Sequence, residues 1–450
     1  MSKFEITNYL KAIEQNSFDD SNVSSWSLAK TLLNLPRSIS AQGNIETLKI
    51  LNEFTDGDLV LKFFHEKKFY SWERPLFWTF HRAQIMTTKG DVLIDTEDCP
   101  LHVVYHSCPV DKVLSFSDLK DHLHYEDDSQ YVPYRTAYYK KNWGFCVTAD
   151  QYQQLQKHSH LHVKIDSKLE DKPMPYGEGF FKGNDCRREI LITSYICHPA
   201  MANNELSGVL LVARLMRSIK KLHKAGLLPI SVRFLLAPET VGSIAFISKN
   251  LAHLKEKNKG VLVCSCVGDG RQVSVVNGRK PGPFCDALNL SAMSVAEENK
   301  LKFNQYDFLQ RGADERQYAS PHVDLDVATI CNSKFGEYNE YHNSSDNLEI
   351  ISDKALAMSA EVVLRAIGLF ICNIKPTMID PCEPMFSKYG LYPHTRNYKE
   401  TNKQVMELLN FAAYSDGELS LVEMAQKFGW TDKVAIKTYN KFKKAELINS

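Results

Sequence analysis

Between residues 189 and 269 five stretches alternate in texture: EILITSYI, SGVLLVARLMRSIKKLHKAG, ISVRFLLA, GSIAFISKNLAHLKEK and GVLVCSCVGD. The first, third and fifth are short, β-branched and apolar almost without interruption. The second and fourth are long, with apolar positions at three- and four-residue steps. A strand with no polar alternation must be covered on both faces, and the intervening helices are long enough to supply that cover. Strand–helix–strand alternation of this kind predicts a mostly parallel, doubly wound α/β sheet. LHVKIDSKL upstream reads as a further strand of the same region. ISDKALAMSAEVVLRAIGLFICNI reads as a further helix, halted before Pro376 in a proline-rich connection, PTMIDPCEPMF.

The flanks differ from this core. NYLKAIEQ and SWSLAKTLLNL read as helices, whereas residues 58–106 break into short aromatic and β-branched runs separated by turn residues, a β-rich module. The last segment has the layout of a winged helix: one helix, then LSLVEMAQKFG, then TDKVAIKTYNKFKKAEL in the recognition position. The expected organisation is a discontinuous α/β domain (1–50 and 130–390), a small inserted β-rich domain (51–129), and a C-terminal winged helix-turn-helix (395–450). Residues 396–450 hold nine Lys/Arg against seven Asp/Glu, a net of +2. That is thin for duplex binding, where several phosphates are contacted at once. Lys433, Lys437, Lys441 and Lys444 share a helix face, which reads as a solvated or protein-contact surface, including contact with a second copy of the chain, rather than a nucleic-acid one.

Composition removes other classes. Lys+Arg and Asp+Glu are both 54 in 450 residues, so no general attraction to nucleic acid or anionic membrane is implied. No apolar run reaches the ~18 residues of a membrane span. MSKFEITNYLKAIEQNSFDD carries acids where a secretory signal needs an apolar core. Eleven scattered cysteines fit reduced thiols better than a disulfide framework. A cytoplasmic location is the expectation. Cys264 and Cys266, the one close pair, read as packed thiols.

In an open α/β sheet ligands bind beyond the carboxyl ends of the strands. EILITSYI ends at Cys197-His198-Pro199, with Asn204 and Glu205 in the following loop. ISVRFLLA ends at Pro238-Glu239-Thr240, and GVLVCSCV at Gly268-Asp269. RGADERQY adds Asp314, Glu315 and Arg316, and EYNEYHNSSDN adds Tyr341, His342 and Asp346. Imidazoles and carboxylates gathered from separate strand ends suit zinc, with one position open to water in a catalytic site. Each residue alone could equally be a hydrogen-bonded loop residue. Arg316 or Arg135 (in PYRT) could clamp a carboxylate or phosphate, or serve an internal salt bridge.

CHPAMANNELSG, PETVGS, CVGD and EYHNSSD, in this order, resemble the motifs of the zinc aminopeptidase superfamily that includes glutamate carboxypeptidase. VPYRTAYYKKNWGFC, YGEGFFKG, SYICHPAMANNELSG and GADERQYASP are similar to a bacterial group of aminopeptidase-like proteins with an inserted β module and a C-terminal winged helix. The resemblance covers nearly the whole chain. It implies His198 and His342 as metal ligands, with Tyr341 beside the latter, Glu239 as ligand or general base, and Asp269 as a later ligand placed two or three residues beyond the usual position. Tyr341, Asp314, Arg316 and Arg135 are the candidate substrate-binding residues. One position departs from the pattern: Asn204 stands where the peptidases carry a metal-bridging Asp, and Glu205 follows it. A neutral amide is a poorer zinc ligand and cannot bridge two dications. The expectation is therefore one zinc ion rather than two, with Asn204 at its edge and Glu205 turned in as substitute ligand or base. The implied activity is hydrolysis of an amide or peptide-like bond in a small substrate. The same departure leaves open a catalytically altered peptidase scaffold that binds or regulates through its winged helix. The resemblance also implies surface-polysaccharide or natural-product pathways, with an acylated amino sugar or carrier-linked amino acid as substrate.

Overall fold

A computed structural model describes residues 25–127, 129–392 and 398–449. The NYLKAIEQ helix expected near the start lies outside the described residues. The core is an eight-stranded mixed sheet of β1 (Val60–Phe64), β2 (Met174–Phe181), β3 (Asp185–Tyr195), β4 (Ile230–Ala237), β5 (Asn258–Cys264), β6 (Val273–Asn277), β7 (Phe303–Tyr306) and β8 (Val327–Cys331), in the order β1-β2-β4-β3-β5-β8-β6-β7. The neighbours β3/β4, β3/β5, β5/β8 and β6/β7 are parallel, and β1/β2, β2/β4 and β6/β8 antiparallel.

The unbroken apolarity of the central strands has a simple cause. Ile190 and Ile192 of β3 face one core, and Leu191 and Tyr195 face the other. The first core is closed by α1 (Ser207–Lys224), α3 (Pro283–Glu298) and α4 (Asp353–Ile371), the second largely by α2 (Val241–Lys257). Side chains alternate faces every residue, so a strand covered on both sides has no polar position to show.

LHVKIDSKL does not join this sheet. As His160–Glu170 it is a central strand of a separate four-stranded antiparallel sheet with Phe77–Thr87, Val92–Asp95 and Val110–Ser115. The second sheet thus extends past the expected limit of 129, while β1, inside the expected insert, pairs with β2 in the main sheet. The alternation HLHVKIDSKLE, with its eBiBeBeBeii burial, is that of a half-exposed antiparallel strand, unlike the continuous apolarity of β3.

The C-terminal unit comprises α5 (Tyr398–Tyr414), α6 (Leu421–Phe428) and α7 (Asp432–Lys444), closed by a short ladder of Ile448–Asn449 on Thr377–Met378. It is fastened to the main domain: Ala287, Leu290 and Leu369 of α3 and α4 share one core with Phe411, Met424 and Phe442. Buried Arg365 of α4 bonds both Asp432 oxygens and Glu298, and Lys433 pairs with Glu298 at 2.8 Å. No helix among the described residues is long and apolar enough to cross a membrane.

Candidate metal and hydrolase centre

The loop after β3 turns through Cys197–Met201 and a wide helical turn, Ala202–Leu206, before α1 begins. Gly208 lets α1 start hard against the sheet: a Cβ there would lie 2.4 Å from Ser194 Oγ and 2.5 Å from the Cys264 carbonyl. Four non-glycine residues around this sheet edge hold positive φ: Ala200 (50°), Thr240 (63°), Cys266 (54°) and His342 (61°). They sit two residues after His198, beside Glu239, just beyond β5, and at His342 itself. Such strain persists only where surrounding structure enforces it, and it collects at functional sites.

His198 is buried, and its two ring nitrogens meet different surroundings. Nδ1 lies 3.2 Å from Cys197 Sγ and 3.5 Å from a Glu205 oxygen, while Nε2 lies 4.0 Å from Glu239 Oε2. The His342 ring is 5.3 Å away between centroids. Tyr134 covers both imidazoles at 5.1 and 5.3 Å, and Tyr341 stacks on His342 at 3.9 Å. Tyr134 is carried there because its amide donates to the His342 carbonyl. Burial, with the charges of His198 and Arg135, holds the His342 imidazole down at about 3, so it stays neutral with a free lone pair. Its Nε2 is buried without a hydrogen-bond partner among the described residues, and so is Asn204 Oδ1.

Glu205 does turn in, but to another task. Its carboxylate meets Arg37 Nε at 2.6 Å and accepts from the backbone N–H groups of Cys197 and His198, with both side chains fully buried. Arg37 also donates to the carbonyls of Leu32 and His198. Arg37 escaped the motif reading; its only sequence signal is a lone cation within LNLPRSIS. Cys197, His198 and Glu205 form the one group of three close donor side chains found among the described residues. That group is a poor ion site. Burial raises the Cys197 thiol, keeping it protonated, and the Glu205 oxygens are taken by Arg37 and the backbone.

Asp269 stands aside from the imidazoles in its bonding: it accepts from Asn203 Nδ2 and the Arg271 amide, both at 3.2 Å. Asp346 accepts from the amides of Asn203 (2.6 Å) and Asn204 (2.9 Å), fixing the loop, and burial lifts it to about 6. Asp314 lies beneath the surface, accepts from the Thr240 amide at 2.7 Å, and is pushed up to about 7 by burial and then by Glu239's charge. Burial also raises Glu239, opposed by His198 and Arg316. Arg316 Nη2 reaches Glu239 Oε1 at 3.4 Å and Thr240 Oγ1 at 2.8 Å. Arg135 is exposed, 3.7 Å from Glu126.

The donor set tests which ion could be accommodated. His342 Nε2 and Asn204 Oδ1 are without a hydrogen-bond partner among the described residues, and His198 Nε2 faces the Glu239 carboxylate at 4.0 Å; all are nitrogen and oxygen donors of a kind zinc accepts. The loop beside them offers a neutral amide at Asn204 and, at Glu205, a carboxylate already bonded to Arg37 and two backbone amides.

Residues 26–373 match a family model described as "Domain of unknown function (DUF4910)", and residues 374–450 one described as "winged helix-turn-helix". A Clostridium acetobutylicum protein named "Putative polysaccharide biosynthesis protein with aminopeptidase-like domain" is 33% identical over 411 residues, covering 90% of this chain and 91% of that one. A crystal structure of a "putative peptidase" from the same organism superposes with a TM-score of 0.84 at 30% identity, over 99% of both chains. A zinc aminopeptidase from Bacillus subtilis shares the fold, with a TM-score of 0.52 at 13% identity over 75% of this chain and 93% of that one.

Proposed function

The chain belongs to the DUF4910 family, joined to a winged helix-turn-helix, and we propose that it is a metal-dependent hydrolase of aminopeptidase type, cleaving an amide or peptide-like bond in a small substrate. The observation that carries this reading is the pair of buried, unbonded donor atoms, His342 Nε2 and Asn204 Oδ1, in the loops around His198 and Glu239. Buried polar atoms are rarely left unpaired, and an ion or an ordered water would pair these two.

In this reading His198, His342 and Asn204 would hold one zinc. When bound, zinc polarises a carbonyl and brings a water toward ionisation near neutral pH. The chain's residues do the rest. Glu205, fixed by Arg37, accepts from the His198 backbone N–H and so holds the residue at the strand end, with Nε2 4.0 Å from Glu239. Glu239, half-buried and one oxygen from His198, takes the proton of the attacking water and returns it to the leaving amine. Tyr134 and Tyr341 shield the imidazoles from bulk water.

The relative's name, a polysaccharide biosynthesis protein with an aminopeptidase-like domain, is in keeping with a substrate from a polysaccharide pathway, such as an acylated amino sugar. All eleven cysteines are free, which supports a reducing, cytoplasmic setting. A second reading, a catalytically altered scaffold, is favoured by the neutral amide at Asn204. Elemental analysis of the purified protein, with His198→Ala and Glu239→Gln, separates the two. We expect about one zinc per chain, lost in His198→Ala, and amide hydrolysis reduced roughly 10²- to 10⁴-fold in Glu239→Gln with zinc retained. Wild-type protein with neither zinc nor hydrolysis would establish the second reading.

A further inference from the structure

We infer that Arg316 is a specificity-determining residue, receiving a carboxylate that the substrate carries beside its scissile amide; this rests on the hydrolase reading above. Glu239 is shared between two neighbours: Oε2 faces His198 Nε2 at 4.0 Å, and Oε1 faces Arg316 Nη2 at 3.4 Å. Arg316 therefore stands one carboxylate away from the imidazoles. Its guanidinium is fixed by the protein, Nε donating to the Ala313 carbonyl and Nη2 to Thr240 Oγ1, both at 2.8 Å. Nη1 makes no hydrogen bond to the described residues, and the side chain is 37% exposed. The contact to Glu239 is long for a charge-assisted bond. Once Glu239 turns to its work at the imidazoles, the Nη1–Nη2 edge is free. That edge is a planar pair of N–H donors matched to a carboxylate.

The neighbouring charges favour a single negative charge. Glu239 lies close enough to repel a dianionic phosphate, and Asp314 lies beneath it, hydrogen-bonded to the Thr240 amide. An N-acylated amino acid or the free end of a short acyl-peptide has the required chemistry. An internal counterion for Glu239 is the competing role, and it predicts no discrimination among ligands.

Calorimetric binding to the full-length protein, with and without added zinc, tests this without turnover. The probes are N-acetylglycine against N-acetylglycinamide, and N-acetylglucosamine 1-phosphate against N-acetylglucosamine. We expect the wild type to favour the acid over the amide by about tenfold or more, the range of a hydrogen bond to a charged group. Arg316→Gln should bring that ratio to near one. Arg316→Lys, which keeps the charge and loses the fork, should fall between them, and it serves if Arg316→Gln does not fold. Equal binding of acid and amide by the wild type, no binding of either at millimolar concentration, or a preference that survives Arg316→Gln would overturn the inference. A larger, Arg316-dependent preference within the phosphate pair would overturn the assignment to a carboxylate. Because hydrolysis is not the readout, failure of the hydrolase reading leaves this result legible.

Discussion

Glu205 is the residue whose neighbourhood most changes its meaning. Buried against Arg37 and two backbone amides, it holds the strand-end loop and orients His198. Glu205→Gln should therefore act first on stability, by about 3–5 kcal/mol in denaturant unfolding, because it strands a buried guanidinium. A variant of wild-type stability that lost 10²- to 10⁴-fold in rate would instead make Glu205 the base. At the adjacent position, Asn204→Asp should tighten zinc retention against a chelator by about tenfold or more, since a carboxylate replaces a neutral donor. Unchanged retention in a chelator titration would remove Asn204 from the ligand set.

At the scale of elements, α3 begins where Asp326 accepts from the amides of Gly282 (3.1 Å) and Phe284 (2.8 Å). Burial nevertheless pushes this carboxyl up to about 6, from an ordinary 3.8. A folded-state value above the unfolded one means that the folded protein binds the extra proton. Asp326's contribution is therefore fully present below about pH 4 and lost as pH rises through about 6. Asp326→Asn, neutral throughout, should gain on the wild type across that window, by an amount on the order of 2 kcal/mol. Paired thermal melts from pH 4 to pH 7 check the sign; a difference that does not change with pH would refute it.

For the whole molecule, the tail behaves as part of the body. Its proline-rich approach suggests an independent unit, yet Leu290 and Leu369 of the main domain lie in the tail's core, and Arg365 is buried between Glu298 and Asp432. Deleting residues 374–450 should expose that apolar surface and leave Arg365 without Asp432. The expected result is an aggregation-prone or markedly less stable protein, seen by light scattering and calorimetry. A truncated chain that stays monodisperse with an unchanged melting temperature would restore the independent unit. The same docking engages Lys433 with Glu298, removing one cation from the face that a recognition helix would present.

The sequence by itself determined the α/β core, because continuous apolar strands between 3.6-period helices admit few other arrangements. It also located His198, Glu239 and His342 at strand-end loops, since parallel topology sends those loops to one edge. It did not determine the limits of the insert: LHVKIDSKL is as good a strand in either sheet, and only long-range pairing with Phe77–Thr87 assigned it. Nor could it assign partners to charges far apart in the chain. Arg37 and Glu205 are 168 residues apart, and nothing in either local sequence announces the other. Asp269 and Glu205 both carry the residue type of a ligand, and only the fold shows that Asp269 accepts from Asn203 and Glu205 from Arg37. Local pattern reports which face a residue takes, whereas the occupancy of a carboxylate's lone pairs depends on groups that only the folded chain brings within 3 Å.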